Sequence, residues 1–454
     1  MRKTIRYTIA LLALSGGFFL AFWPGPSPDV AIVPSRPGVG RAGTTVVVRA
    51  KEGTRGITRI RVEAVQNGAP VPLGERVFPP SSLWIWKKGT VEAEVPVELG
   101  PDTVPGLTEG QISLRVEAFG TGGWLRGPRA TASELPLPVR LAPPALAVTS
   151  SQNYAAQGGS GIVVYRVDAS VLEKGGLDGV EAAQSFFPGL PVPGGGNLDR
   201  FALYGVPYDL TTAGEIRLVA EDPLGNRSTI SFVERYFARP MKKDVIHLTV
   251  DFMEKVVPEI RAQTPELEDR GDLLANYLEI NRDLRARNAE TLRALGASSR
   301  ENFLWSGRFD PLPGSEATSS FADRRTYVFD GREVDRQDHL GFDLASVRGA
   351  PVPAANRGVV VLARYFGIYG NSVLLDHGAG LRSLYSHLSS IEVAPDQEVE
   401  KGQVIGRTGQ TGLAGGDHLH FTLLIRGLPV NPVEWWDPMW VQDRVMAKLS
   451  KPRP

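Results

Sequence analysis

Asp417-His418-Leu419-His420-Phe421-Thr422-Leu423-Leu424-Ile425 is an apolar, β-prone stretch with histidines at alternate positions. Side chains two apart on a strand project to one face, so both imidazoles point one way while Leu419 points to the core. Such a pair is wasted inside a core and well suited to a metal-holding cleft. Upstream, His339-Leu340-Gly341-Phe342-Asp343 offers an imidazole and a carboxylate four residues apart, with a flexible glycine between them. Two histidines and one carboxylate leave a fourth position on a zinc ion for water, the open arrangement of a catalytic site. Zinc brings the pKa of such a water toward about 7 and polarises a substrate carbonyl.

The chain has six histidines, five of them between positions 339 and 420. His247 stands apart and reads as structural. The clustered set exceeds what one metal needs as ligands, and an imidazole with a near-neutral pKa can accept and return a proton. His387, in Tyr385-Ser386-His387-Leu388, is the natural acid–base candidate beside His418. His377, in Asp376-His377-Gly378, reads equally well as a turn or supporting residue. There is no H-E-x-x-H helix, no G-x-S-x-G elbow and no phosphate-binding loop.

Working outward, 454 residues call for roughly two to four domains. Lys+Arg and Asp+Glu are both 50, so no global field points to nucleic acid, and none is expected as a partner. The absence of cysteine excludes disulfides, thiolate zinc sites, cysteine nucleophiles and an N-terminal lipidated cysteine. Arg2, Lys3 and Arg6 precede an uncharged, mostly apolar run over 7–23, which ends at Pro24-Gly25-Pro26. A run of about 17 residues is at the short edge of a membrane-spanning helix, and basic residues before it fit an N-terminus kept in the cytoplasm. No clean A-x-A site follows, so an uncleaved signal anchor is preferred to a removed signal peptide.

Alternation with period two marks strands at 90–99 and 111–119, and Asn67-Gly68 marks a hairpin after 57–65. Residues 143–238 repeat this texture, with strands at 161–167 and 216–221 and an Asp222-Pro223-Leu224-Gly225-Asn226 turn before 228–233. That last hairpin resembles bacterial immunoglobulin-like domains, read here as spacers or binding modules. From about 245 the period becomes helical through Phe252, Val256, Val257 and Ile260. Thr264-Pro265-Glu266 then reads as an N-cap with an N1 proline, and Gly296 as the residue just past a helix end. This helical stretch is either a packing element between domains or an arm that limits access to the site. Residues 311–323 read as loop, strands return from Tyr327, and the basic tail holds a short helix. The expected fold class is mainly β, with a cytoplasmic N-terminus and anchor over 1–27, immunoglobulin-like β-sandwiches over 28–142 and 143–240, a helical connector over 241–310, and a C-terminal antiparallel-β domain over 311–454.

Residues 320–437 resemble the lysostaphin/LytM-type zinc peptidases, which act on peptidoglycan. The matching segments occur in order: 339–345, 349–354 with Gly358-Val359-Val360, 370–378, 384–388, 399–406, 409–412, 418–421 and Val430-Asn431-Pro432. The resemblance implies that His339, Asp343 and His420 hold one Zn2+. It also implies that His387 and His418 form the catalytic pair, activating water and stabilising the charged tetrahedral intermediate. The implied activity is cleavage of peptide cross-links between peptidoglycan stem peptides in the cell envelope, with D-Ala–diaminopimelate and glycyl-glycine bonds both open. Asp417 stands where the family often has Pro or Thr, and Thr422 where Glu is frequent. Both departures bear on substrate fit or pKa. Other partners expected are the inner membrane, through the N-terminal helix, and an envelope protein held by the immunoglobulin-like segments. The alternative is a non-catalytic envelope protein that activates amidases or scaffolds wall assembly; such members usually lose a ligand or a catalytic histidine. A purely structural adhesin leaves the histidine cluster unexplained.

Overall fold

A computed structural model describes residues 26–79, 89–122 and 127–450. The apolar run over 7–23 lies outside them; among the described residues no helix is long and apolar enough to cross a membrane. The chain divides into two compact units. One gathers the described residues up to Ala145 with Ala169–Leu177 and Ala220–Ser228, and the other comprises Leu146–Asp168, Asp178–Val219 and the described residues from Thr229 onward.

The first unit is built from period-two strands. Thr44–Lys51 pairs antiparallel with Asp29–Pro34 and Glu92–Leu99. A second sheet runs Ala69–Val77, Ile57–Gln66, Gly110–Gly120 and Ala130–Val139. Glu92–Leu99 alternates strictly between exposed and buried positions. Its inward residues Val95 and Val97 join Val46, Val48, Ile60, Val62, Leu114 and Val116 in one core. The Asn67-Gly68 hairpin forms as expected, with φ of 53° and 80°, the doubly left-handed turn that those two residue types tolerate.

In the second unit a long antiparallel sheet carries the chemistry. Its order is Glu316–Ser319, Phe342–Ala345, Leu419–Ile425, Leu381–Leu388, Asn371–Asp376, Gly358–Tyr365 and Glu398–Val399. Leu381–Leu388 and Leu419–Ile425 are buried along their whole length, the polar residues Arg382, Ser383, Ser386, His387, His420 and Thr422 included. A smaller sheet holds Lys243–His247, Asp323–Phe329 and Arg332–His339, its first pair parallel. Strands Ser160–Val167 and Asp199–Gly205 pair antiparallel in this same unit.

The helical stretch forms, with different boundaries. Val250–Gln263 is capped by Thr249, whose side chain accepts from the Phe252 amide. Thr264 ends that helix instead of starting the next one, which begins at Leu273 under an Asp272 cap. A single π turn, Ile280–Leu284, joins Leu273–Glu279 to Arg285–Gly296. Met253, Val256, Val257 and Ile260 pack against Tyr277, Ile280, Leu284, Tyr327 and Ile368. Gly296 is the last helical residue and does not have positive φ. A Cβ there would lie 2.4 Å from the backbone of Arg426 and Gly427, so close approach is its purpose. Part of the stretch read as loop, Glu316–Ser319, is an edge strand. The tail is helical through Pro438–Val441, Gln442–Met446 and Ala447–Ser450.

Candidate metal centre

Local strand geometry assembles the site. Arg332–His339 ends on its histidine, the chain turns at Leu340-Gly341, and Phe342–Ala345 begins. Asp343 then lies directly opposite His420 on the neighbouring strand. The result is a tight triangle. His339 Nε2 is 3.0 Å from Asp343 Oδ1 and 3.0 Å from His420 Nδ1, and His420 Nδ1 is 2.9 Å from Asp343 Oδ1.

Proton accounting shows what the triangle needs. His339 Nδ1 lies 3.0 Å from the Ser320 carbonyl, which can only accept, so Nδ1 carries a proton and, in the neutral ring, Nε2 offers its lone pair. Thr422 Oγ1 donates its one proton to the Leu340 carbonyl and lies 3.0 Å from His420 Nε2. His420 Nε2 must therefore donate, which leaves Nδ1 bare. Burial pushes the His420 imidazole down to about 4, so it is neutral at pH 7. Two imidazole lone pairs and a carboxylate oxygen converge with no proton to share, and a cation satisfies all three. These residues are also the one group among the described residues whose ligand atoms converge tightly enough for a metal ion. The chemistry of the donor set fits a metal.

Asp343 is held a second time, by Arg325 Nη2 at 3.0 Å from Oδ2. Burial alone would raise the Asp343 pKa, but the imidazoles of His339, His418 and His420 around it hold it well below the ordinary range. Gly341 is required by space. A Cβ there would sit 2.5 Å from two ring atoms of His420 and 2.6 Å from Thr422 Oγ1.

His387 and His418 stand beside the triangle, their ring centroids 4.9 Å apart, with His387 5.7 Å from His420. In the pairing of Asn371–Asp376 with Leu381–Leu388, the register shifts between Asn371 and Val373, next to His387. His387 itself has φ of 61°, a left-handed conformation uncommon outside glycine and often kept where a functional side chain must be re-aimed. Its Nδ1 donates to the Thr411 carbonyl at 2.8 Å, leaving Nε2 as a lone pair. His418 Nδ1 donates to the Gly416 carbonyl at 2.9 Å, and its Nε2 is 3.5 Å from Asp343 Oδ1. The two rings are driven apart in acidity. Burial, then the neighbouring imidazoles of His418 and His420, push His387 well below its ordinary value. Burial opposes the charge on His418 too, but the hydrogen bond and attraction of Asp343 outweigh it and raise its pKa. One ring is a neutral acceptor and its neighbour holds a proton readily, the separation that distinguishes a base from an acid.

All five residues line one cavity of about 400 Å³. Its other wall, which no motif announced, includes Phe252, Tyr277, Asn281 and Arg285 from the helical stretch and Tyr369, 5.6 Å from the His420 ring. His247, read as structural, is exposed at the end of its strand and lines the same cavity. His377 lies elsewhere, fully buried, with its ring nitrogens 2.7 Å from the Arg357 carbonyl and 2.7 Å from Ser383 Oγ. Arg325 and Thr422 are the contacts that sequence reasoning missed or underrated. Arg325 is one of two adjacent arginines in its strand with nothing to single it out; Thr422, two residues after His420, shares its face.

Residues 337–432 match Peptidase family M23, so the C-terminal part of the chain carries an M23 peptidase domain. Peptidoglycan DD-endopeptidase ShyA of Vibrio cholerae serotype O1 is 32% identical over 188 residues, 41% of this chain and 40% of its own length. DD-carboxypeptidase/endopeptidase Mpg of Neisseria meningitidis serogroup B is 44% identical over 95 residues, 21% of this chain and 22% of its own. The chain thus spans well under half of these relatives. Among solved structures, the catalytic domain of lysostaphin from Staphylococcus simulans aligns at 26% identity over 30% of this chain and 92% of that domain, with a TM-score of 0.21.

Proposed function

We propose that this chain is a zinc-dependent endopeptidase that hydrolyses peptide cross-links of peptidoglycan. The observation that carries the reading is the convergence of three proton-free donors beside a pair of histidines driven to opposite acidities. His339 Nε2, Asp343 Oδ1 and His420 Nδ1 would hold the ion. Bound there, zinc would polarise the scissile carbonyl and acidify a water. His387 Nε2 accepts the water's proton, since Thr411 fixes its other nitrogen as the donor. His418, protonated toward Asp343, places positive charge where oxyanion charge develops. Ser320 and Thr422 fix the tautomers of the two ligand histidines, and the burial around His387 keeps its lone pair unprotonated at pH 7.

The names of the two peptidoglycan relatives favour a D,D bond. The basic-flanked run over 7–23 supports an envelope location with a membrane anchor. The segments over 28–142 and 143–240 are proposed as immunoglobulin-like modules that contact the wall or an envelope protein, joined through the connector over 241–310 to the catalytic domain over 311–454. The reading is tested by digesting cross-linked muropeptides with the zinc-loaded full chain and weighing the products. New free amines and uncross-linked muropeptides are expected. Intact dimers, with stimulation of a partner amidase, would favour the non-catalytic alternative.

A further inference from the structure

The helical stretch does more than pack beside the site. Its π turn, Ile280–Leu284, is a rare conformation that recurs at functional positions, and here it carries Asn281 into the cavity, just ahead of Arg285. Asn281 is fully buried and donates from Nδ2 to Asp335 Oδ2 at 2.8 Å. Its own acceptors are spent on Arg285: the Asn281 carbonyl takes Nε at 3.0 Å, and Oδ1 takes Nη2 at 2.6 Å. Two of the three guanidinium nitrogens are thereby clamped by one immobile residue. Nη1 has no hydrogen-bond partner among the described residues.

An arginine on a helix ordinarily extends to solvent or meets a carboxylate. Arg282, three residues earlier, does the latter, with Nε 2.9 Å from Asp335 Oδ1. Arg285 is half-buried, and among the described residues no carboxylate pairs with it. It lines the same cavity as His339, Asp343, His387, His418 and His420. The one carboxylate of the metal triangle is already matched by Arg325. A held guanidinium with a free edge, in a cavity whose own acid is spoken for, is built to receive an anion from outside. Planar forked donors favour a carboxylate.

We propose that Arg285 recognises a free carboxylate of the substrate peptide near the scissile bond, so that the helical stretch forms a wall of the substrate groove. The substrate class is then an acidic cross-linked peptide, and amidation of that carboxylate weakens it. This rests on the endopeptidase reading for its substrate but not for its binding step.

The test uses the zinc-loaded full chain and a series of cross-linked peptides in which each free carboxyl in turn is replaced by its carboxamide. Wild type should prefer one acid over its amide by roughly ten- to a hundredfold in kcat/KM, the scale of a charge-assisted hydrogen bond. Arg285→Gln should collapse that ratio, mainly through KM, and Arg285→Lys should keep part of it. Calorimetric binding of the same pairs reads recognition without turnover. If wild type cuts neither peptide yet binds acid over amide through Arg285, the endopeptidase reading fails and this one stands. Equal binding of every acid and amide by wild type overturns the proposal. So does an unchanged ratio in Arg285→Gln at equal zinc content and equal circular dichroism.

Discussion

Replacing Gly341 by alanine isolates the geometry of the metal triangle. Gly341 is not among the positive-φ glycines, so alanine meets no backbone penalty and the methyl group is the whole perturbation. That methyl would lie 2.5 Å from His420 Cε1 and Nε2 and 2.6 Å from Thr422 Oγ1. Comfortable contact needs about 3.5 Å or more, so the His420 ring must retreat by about 1 Å. Metal bonds tolerate about 0.2 Å, and misplacement by about 1 Å at a reacting centre costs about 10²-fold. Moving His420 also breaks its hydrogen bond to Thr422, a supporting contact whose loss typically lowers metal affinity about 10- to 100-fold. Competition with a chromophoric chelator should show weakened zinc binding of that order, and muropeptide cleavage should fall about 10²-fold even in excess zinc. Overpacking should cost the fold only about 1–3 kcal/mol. Gly74, whose added Cβ meets nothing within 4 Å, is the control, and its alanine variant should behave as wild type. Wild-type zinc affinity and turnover in Gly341→Ala would refute the reasoning that this glycine is there to leave room for His420.

Thr422→Val removes the hydroxyl that fixes the His420 tautomer without changing shape, so zinc affinity should drop about 10- to 100-fold on chelator titration. His377 gives a pH dependence away from the metal. Burial lowers its folded pKa from 6.5 to about 4, so the unfolded chain takes up a proton first as pH falls. Its contribution is complete above pH 6.5 and is lost as pH falls toward about 4, a loss of about 3 kcal/mol. Urea unfolding of wild type and His377→Gln between pH 7 and 4 should show a shallower decline in the variant.

The ligand and acid–base candidates were legible because their spacing is local. Residues 339 and 343 flank one turn, and 418 and 420 alternate on one strand, so secondary structure alone brings each pair together. Arg325, Tyr369 and Arg285 reach the cavity from three other elements, and no local pattern distinguishes them from packing residues. Thr264 shows the limit of capping signals. Thr-Pro-Glu can open a helix, but the same threonine can close the one before it, as it does after Gln263. Gly296 and Gly341 carry their meaning in what a Cβ would strike, a contact across the fold that composition cannot show.

The most direct test of the central claim pairs His339→Ala with His418→Ala and measures zinc content and muropeptide cleavage on the same preparations of the full chain. The account predicts one zinc and cleavage in wild type, neither in His339→Ala, and one zinc without cleavage in His418→Ala. Cleavage that persists in His418→Ala, or in metal-free His339→Ala, would contradict it.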